Sequence, residues 1–301
     1  MQKLTIEDYF LVNKIVSVFV FSVGTIGAIG NLILLIAIVR SRQLRSICAI
    51  FVAIQAFVEI IYPLSLFSFV YIAYTELQMP RRNCLWLQFV PLFAANVSVM
   101  MMPIVAIDRY MSLKAPIWYK RVNRSAFICC SLAVPIAYHA VCTYLGAIYT
   151  TDQLIVCRLP DGYTGIAVYF WVGSQCVIAL FVLVLYFLVR QELKKITIQS
   201  KDVSTSANKS LQVIFMVYVC GYALFAFVNG ASMFISDYYL FMILGSISGA
   251  SALLNITSPV FVFYKNSKLY RQEIKATLRL LIGQKTKVVM VVRTATSSAH
   301  L

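Results

Sequence analysis

The chain has 301 residues, of which 61% are hydrophobic and only 12% are charged, and its mean hydropathy is +0.83. Soluble domains carry about 25% charged and 45 to 50% apolar residues, so this composition excludes an ordinary soluble domain and indicates a membrane protein. The net charge of +15 does not indicate a nucleic-acid partner, because membrane proteins concentrate Lys and Arg in their cytoplasmic loops.

Seven long windows of the sequence are free of Asp, Lys and Arg, and Glu59 is the one acidic residue within them. A helix needs about 20 apolar residues to cross a bilayer, and continuous apolar windows favour helices over the alternating strands of a β-barrel. The predicted spans are residues 15–39, 46–75, 83–107, 125–151, 162–189, 210–236 and 238–264. We therefore predict an all-α integral membrane protein, a seven-transmembrane helix bundle that forms a single domain over residues 1–301.

The distribution of basic residues predicts the orientation of the bundle. Most of the 26 Lys and Arg residues follow the first, third, fifth and seventh spans. The basic residues on the opposite side are Lys3, Lys14, Arg81, Arg82 and Arg158. The positive-inside rule therefore places the N-terminus outside and the C-terminus in the cytoplasm.

The segment after the seventh span has apolar residues on one helical face and cations on the other. Tyr270, Ile274 and Leu278 recur at helical spacing, and Arg271 and Lys275 lie between them. This pattern is typical of an amphipathic helix on the inner leaflet of a bilayer, predicted over residues 267–281, with a tail at 282–301. An ordinary cytoplasmic tail is the alternative.

The triplet Asp108-Arg109-Tyr110 lies at the predicted cytoplasmic end of the third span. A guanidinium beside a carboxylate can exchange partners. Arg109 would therefore be inactive while it is paired with Asp108. Once that pair breaks, Arg109 could contact a protein that enters from the cytoplasm. Further motifs are Gly30-Asn31, Glu59 at 28 residues after Asn31, Cys84 at 25 residues before Arg109, Pro116, Tyr186, and Ser258-Pro259 followed by Tyr264 and Tyr270. With these motifs, the chain resembles the rhodopsin-like (class A) G-protein-coupled receptors.

The stretch Ala106–Lys120 is most similar to nematode serpentine chemoreceptors of class SX (Srsx). The resemblance implies a chemosensory receptor, not an enzyme, that senses an external small molecule or short peptide and activates a heterotrimeric G protein. It implies a location in the plasma membrane and, by family analogy, in sensory cilia. The residues that it assigns to activation are Asp108, Arg109, Tyr110, Tyr186, Pro259 and Tyr264.

The resemblance also implies a disulfide between Cys84, at the start of the third span, and Cys157, in the second outer loop. The predicted topology places only these two of the 8 cysteines on the outer, oxidising side.

Two departures from the family pattern concern activation. The sixth span has Gly221, Tyr222 and Leu224 where Phe-x-x-Cys-Trp-x-Pro has its cysteine, tryptophan and proline. Ser204 stands where many relatives carry an acidic partner for the arginine, and Asp202 is close but out of register. We therefore expect a weak resting lock and measurable basal signalling. A receptor-like protein that no longer couples, or a transporter, is the alternative.

A polar cluster is predicted in the middle of the bundle, because Glu59 is costly in a bilayer and should face the interior. Its members, matched to the family, are Asn31, Glu59, Ser98, Asn255 and Ser258. The cluster could hold a sodium ion or a proton, or Glu59 could simply be protonated and order the helices. No other cofactor is expected, and no metal site either, because His139 and His300 are the only histidines.

The predicted ligand pocket is aromatic and neutral, and would suit a small neutral odorant. Its candidate residues are Phe89, Phe93, Trp171, Gln175, Tyr222, Phe225 and Asn229, with Tyr74 and Tyr144 nearby. Pro91 stands where amine receptors carry Asp, which disfavours an amine ligand. The seventh span contains no lysine for a retinal Schiff base. For any one aromatic residue, plain helix packing is the alternative.

Overall fold

A computed structural model describes residues 6–199, 213, 217, 221–222, 224–235 and 237–283. The helices in these ranges are α1 Ile6–Arg40, α2 Ile47–Ile61, α3 Leu64–Thr75, α4 Arg81–Leu87, α5 Phe89–Lys114, α6 Pro116–Arg121, α7 Arg124–Tyr149, α8 Ile166–Gln199, α9 Tyr238–Asn266 and α10 Lys268–Leu281. Residues 221–222 and 224–232 are also helical. A 3-10 turn occupies Arg42–Leu44, and the strands are β1 Met79–Pro80 and β2 Leu154–Ile155.

Six segments of the described chain are long and apolar enough to cross a bilayer. They correspond to the first five predicted spans and the seventh, and they run over Glu7–Arg40, Ile47–Thr75, Phe89–Lys114, Arg124–Tyr149, Ile166–Lys195 and Ile243–Asn266. The predicted sixth span, 210–236, is described at residues 213, 217, 221–222 and 224–235. Its described part is helical over 224–232 and turns at 233–234.

The second predicted span is present as Ile47–Thr75, and two helices, α2 and α3, form it. Pro63 lies between α2 and α3, and proline has no backbone N–H to continue a helix. The third predicted span began at residue 83, but its first residues belong to the separate helix α4, and α5 begins at Phe89. The helices α1, α5 and α8 also extend beyond the charge-free windows, because charged residues are good helix formers outside the hydrocarbon layer.

The short antiparallel pair of β1 and β2 adds a feature that the all-α prediction omitted. Met79 pairs with Ile155, and Pro80 pairs with Leu154. Strands of two residues leave no periodic signal in the sequence, so their pairing depends on the tertiary structure.

Close packing between α1 and α9 positions the polar residues of the bundle. A Cβ atom added at Gly30 would lie 2.6 Å from Cγ1 of Val260, so only glycine allows this approach. The neighbouring Asn31 thereby donates a hydrogen bond to the backbone oxygen of Ile256 in α9, at 3.0 Å.

Helix α10 occupies the segment for which a surface helix was predicted. The Ser267 hydroxyl caps it by accepting a hydrogen bond from the Tyr270 backbone N–H at 3.4 Å. Tyr270, Ile274 and Thr277 are buried against the bundle. The predicted tail lies outside the described residues from position 284 onward.

Candidate functional site

A disulfide between Cys84 and Cys157 fixes one end of the bundle, here called the disulfide end. The bond joins α4 to the loop that follows β2, and both cysteines are fully buried. The predicted pairing is therefore present. Through it, the loop of residues 156–164 is held over the helices.

A cavity of about 350 Å³ lies beneath this loop. Its walls come from α1, α3, α5, α8, α9, the helical residues 224–232 and the loop itself. The predicted pocket residues that line it are Trp171, Gln175, Tyr222, Phe225 and Asn229. At the bottom, Ser98 and Asn255 also contribute to the wall.

Phe89 and Phe93 do not line this cavity, contrary to the prediction. Both rings pack against His139, with centroid distances of 5.2 Å, in a shallow groove between α5 and α7 that also contains Tyr144. Residues 89 and 93 are one helical turn apart and share the face of α5 that turns toward α7. Tyr74 is exposed and is likewise absent from the cavity wall.

The mouth of the cavity is charged, which corrects the expectation of a wholly neutral pocket. The Arg158 guanidinium donates to Asp161 at 2.6 and 3.0 Å and to the Ser246 hydroxyl at 2.6 Å. The Ser246 hydroxyl in turn donates to Asn13 Oδ1 at 2.8 Å. Sequence reasoning used Arg158 only as a loop charge, although its position next to Cys157 ties it to the disulfide.

Trp171 is oriented by a buried chain of hydrogen bonds. Its indole N–H donates to Asn96 Oδ1 at 3.0 Å, and Asn96 Nδ2 lies 3.1 Å from His139 Nδ1. Because Asn96 Nδ2 is a donor, Nδ1 of His139 accepts, and the Nε2–H donates to Thr143 Oγ1 at 3.2 Å. Asn96 and His139 were not predicted as pocket residues, and they act on the cavity only through Trp171.

Gln175 presents an unsatisfied acceptor at the cavity wall. Its Nε2 atom donates to the Tyr138 hydroxyl at 3.4 Å. Its Oε1 atom is buried and has no hydrogen-bond partner among the described residues, and only 2% of Gln175 is exposed. A buried acceptor without a partner costs about 1 to 3 kcal/mol, so a donor placed here would be strongly favoured.

The predicted polar cluster forms around Glu59, with one additional member. Ser98 and Gln55 donate to Glu59 Oε1 at 2.9 and 2.8 Å, and Asn31 donates to Oε2 at 3.2 Å. Gln55 was missed, although its position four residues before Glu59 places it on the same helical face. A cavity of about 20 Å³ adjoins these groups and is also lined by Pro259. This volume and the oxygen atoms of Asn31 and Glu59 suit one water molecule or one small cation.

Asn255 and Ser258 do not contact Glu59, contrary to the prediction. In the orientation that satisfies both amide atoms, Asn255 donates to the Val217 backbone oxygen at 2.5 Å and accepts from the Tyr222 backbone N–H at 3.1 Å. Gly221 leaves the space that the Asn255 side chain fills. The Ser258 hydroxyl donates to the backbone oxygen of Asn255 at 3.0 Å, within its own helix.

At the opposite end of α5, here called the Arg109 end, Asp108 and Arg109 have separate partners. The Tyr119 hydroxyl donates to Asp108 Oδ1 at 2.5 Å. The Arg109 Nε–H donates to Cys48 Sγ at 2.9 Å, whereas Arg109 Nε is 3.9 Å from Asp108 Oδ2. Burial, followed by the hydrogen bond to the carboxylate, raises the pKa of Tyr119. The predicted pair is therefore an ion pair at the limit of contact, without a hydrogen bond.

Tyr264 does not face the interior, which corrects its assignment to the seventh-helix motif. The motif tyrosine lies three residues after proline, a position that Val262 occupies here, whereas Tyr264 is five residues after Pro259. Two further residues turn a helix by about 200°, so Tyr264 lies on the outer face. Its ring is 5.9 Å from both the Arg271 and the Lys275 cations.

The remaining predicted activation residues are Tyr186 on α8, Tyr110 on α5 and Pro259 on α9. Tyr186 is partly buried and packs against the apolar cluster of α5 and α8 that contains Met102 and Ala106. Tyr110 is partly exposed next to Arg109. Ser204 and Asp202, on which the expectation of a weak lock depended, lie outside the described residues.

A family model, "Serpentine type 7TM GPCR chemoreceptor Srsx", matches residues 24–278 of the chain. A comparison with curated proteins finds no match. The family match covers most of the sequence, including both ends of the bundle described above. It identifies a receptor rather than an enzyme, in agreement with the prediction. The chain belongs to the Srsx family of serpentine seven-transmembrane chemoreceptors of the G-protein-coupled receptor class.

Proposed function

We propose that the protein is a plasma-membrane chemoreceptor that binds an external ligand in the 350 Å³ cavity and activates a heterotrimeric G protein at the Arg109 end. In this proposal the disulfide end faces outward, the C-terminus is cytoplasmic, and the receptor resides in sensory cilia as the family analogy suggests. The observation that carries the proposal is that α5 joins the two sites. Ser98 lines the cavity, and Arg109 lies eleven residues further along the same helix, about 16 Å away at 1.5 Å per residue.

The ligand that best fits the cavity is a small, mainly apolar molecule with at least one hydrogen-bond donor. Trp171, Tyr222 and Phe225 supply aromatic surface, and Gln175 Oε1 supplies the acceptor. Such sites are mostly apolar, with a few polar groups that fix orientation. Arg158 and Asp161 form a charged mouth. This mouth would exclude ligands that bury the two charged groups without making hydrogen bonds to them.

The proposed mechanism is a population shift between two packings of the bundle. Ser98 contributes to the cavity wall and also donates to Glu59, so a ligand that displaces Ser98 disturbs the Glu59 cluster. Glu59 in turn would hold a sodium ion or a proton in the resting packing. Release of Arg109 at the far end of α5 would then open the surface for the G protein.

Removal of the Arg109 guanidinium tests the proposed coupling. We expect Arg109→Ala to reduce nucleotide exchange on the responsive Gα subunit at least about tenfold, because the substitution removes the planar five-donor cation that is proposed to contact the G protein. Exchange is measured on a panel of purified Gα subunits with membranes that contain wild-type or variant receptor, first without ligand and then with pooled odorants and peptides. Lys120→Ala, a nearby cation change, is the control. Correctly surfaced wild-type protein that gives no exchange with any pool would support a non-coupling receptor instead.

The acceptor on Gln175 provides a test of the ligand class. For the first activating compound found in the pools, we expect Gln175→Leu to raise the half-maximal concentration about tenfold, because one buried hydrogen bond is lost. Val177→Leu, two residues along α8 on its exposed face, is the control. An unchanged dose response in Gln175→Leu would contradict the proposed donor on the ligand. A response confined to peptide pools would assign the cavity to a peptide terminus.

A further inference from the structure

The Arg109 side chain is held by a group that is not among the family motifs named above. Cys48, in the first turn of α2, accepts the Nε–H hydrogen bond at 2.9 Å. Tyr270, in the first turn of α10, belongs to the same buried apolar cluster as Cys48. The hydrogen bond therefore joins α2 to α5, and α10 packs in the cluster that contains Cys48.

Each of these groups is fixed in place by its own neighbours. The Ser46 hydroxyl caps α2 by accepting from the Ala49 backbone N–H at 3.2 Å, which positions Cys48 two residues inside the helix. The Tyr270 ring stacks on Phe263 of α9, with centroids 4.3 Å apart. Cys48 is 3% exposed and Tyr270 is 9% exposed, so the hydrogen bond to Cys48 lies in a part of the bundle that is largely sheltered from solvent.

Asp108 is not available as the main partner of Arg109. Its Oδ1 atom accepts from Tyr119, and its Oδ2 atom is buried without a hydrogen-bond partner in the described part of the chain. The 3.9 Å separation from Arg109 leaves a Coulombic attraction but no hydrogen bond. The hydrogen bond to sulfur is therefore the one directed contact of Arg109 among the residues described.

We propose that Cys48 is a positioning residue that holds Arg109 in the resting receptor, in the place of the acidic partner found in many relatives. This inference rests on the proposed function. A thiol is a weaker acceptor than a carboxylate, so the hold is weak and easily released.

Basal nucleotide exchange, measured without ligand, tests the hold. We expect Cys48→Val to raise basal exchange about fivefold, because valine has a similar volume but cannot accept the hydrogen bond. Cys48→Ser keeps an acceptor and should remain within about twofold of wild type. The raised exchange should disappear in the double variant Cys48→Val, Arg109→Ala, which shows that it passes through the arginine. Cys142→Val, at an equally buried cysteine in α7, is the matched control and should leave exchange unchanged.

A second measurement does not depend on any G protein. In detergent-solubilised receptor, we expect N-ethylmaleimide to modify Cys48 several times faster in Arg109→Ala than in wild type, as followed by mass spectrometry of the Cys48 peptide. The exposed Cys130 serves as the internal reference. Equal Cys48 labelling in both proteins would overturn the proposal. The proposal would also be overturned if basal exchange in wild type requires Arg109 and Cys48→Val shows the same basal exchange as wild type. If wild type shows no exchange at all, the proposed function fails. The labelling comparison alone then decides whether Cys48 holds Arg109.

Discussion

The double variant Cys84→Ser, Cys157→Ser is expected to lose about 4 kcal/mol of folding stability, because the disulfide closes a long loop of the unfolded chain. The two cysteines are separated by 73 residues in sequence. Without the bond, the loop that carries Arg158 and Asp161 still has the two-residue β pair and side-chain contacts, which are weaker restraints than a covalent link. We expect the apparent melting temperature in detergent to fall by about 10 °C, and the response to any cavity ligand to be lost.

The measurement is a thermal scan of purified receptor, together with quantification of surface-exposed protein in cells. Cys142→Ser, a change at a buried cysteine outside the bond, is the control and should shift the melting temperature far less. A double variant that melts within about 2 °C of wild type and still responds to ligand would contradict the structural importance of the bond.

Replacement of Glu59 is the second change with a large expected effect. Glu59→Leu leaves the donors of Gln55, Ser98 and Asn31 facing an apolar side chain. Each orphaned buried donor costs about 1 to 3 kcal/mol, so a total loss on the order of 3 to 5 kcal/mol is expected. Glu59→Gln keeps one acceptor oxygen and should lose roughly half of that.

Thermal unfolding of the two variants distinguishes these outcomes. Ser22→Ala, which removes an exposed hydroxyl bonded within α1, is the control. If Glu59→Leu were as stable as Glu59→Gln, the hydrogen bonds to Glu59 would contribute little to the fold. A sodium dependence of the melting temperature that is present in wild type and absent in Glu59→Gln would support the proposed cation.

Local patterns in the sequence determined much of the architecture. Long charge-free windows predicted six of the spans seen in the described chain, since crossing a bilayer depends on length and apolarity alone. The apolar and basic periodicity of 267–281 predicted the segment that forms α10. The motifs predicted the family, and the resemblance to that family implied the Cys84–Cys157 pair, which is present in the structure.

The tertiary structure decided in which direction each of these side chains points. The sequence placed Phe89 and Phe93 at the right depth for a pocket, but the packing of α5 against α7 turns them away from the cavity. Asn255 is not part of the Glu59 cluster, because Gly221, on a different helical segment, leaves space that the Asn255 amide fills.

Partner choice at the Arg109 end was also decided by the tertiary structure. Asp108 and Arg109 are adjacent in sequence, yet Tyr119 and Cys48 bind them at shorter distances. Neighbouring residues on a helix point about 100° apart, so each side chain contacts whichever element packs on its own side. Composition and spacing thus determined that this chain is a membrane-spanning receptor of the Srsx family, and the packing of helices decided which of its polar residues meet.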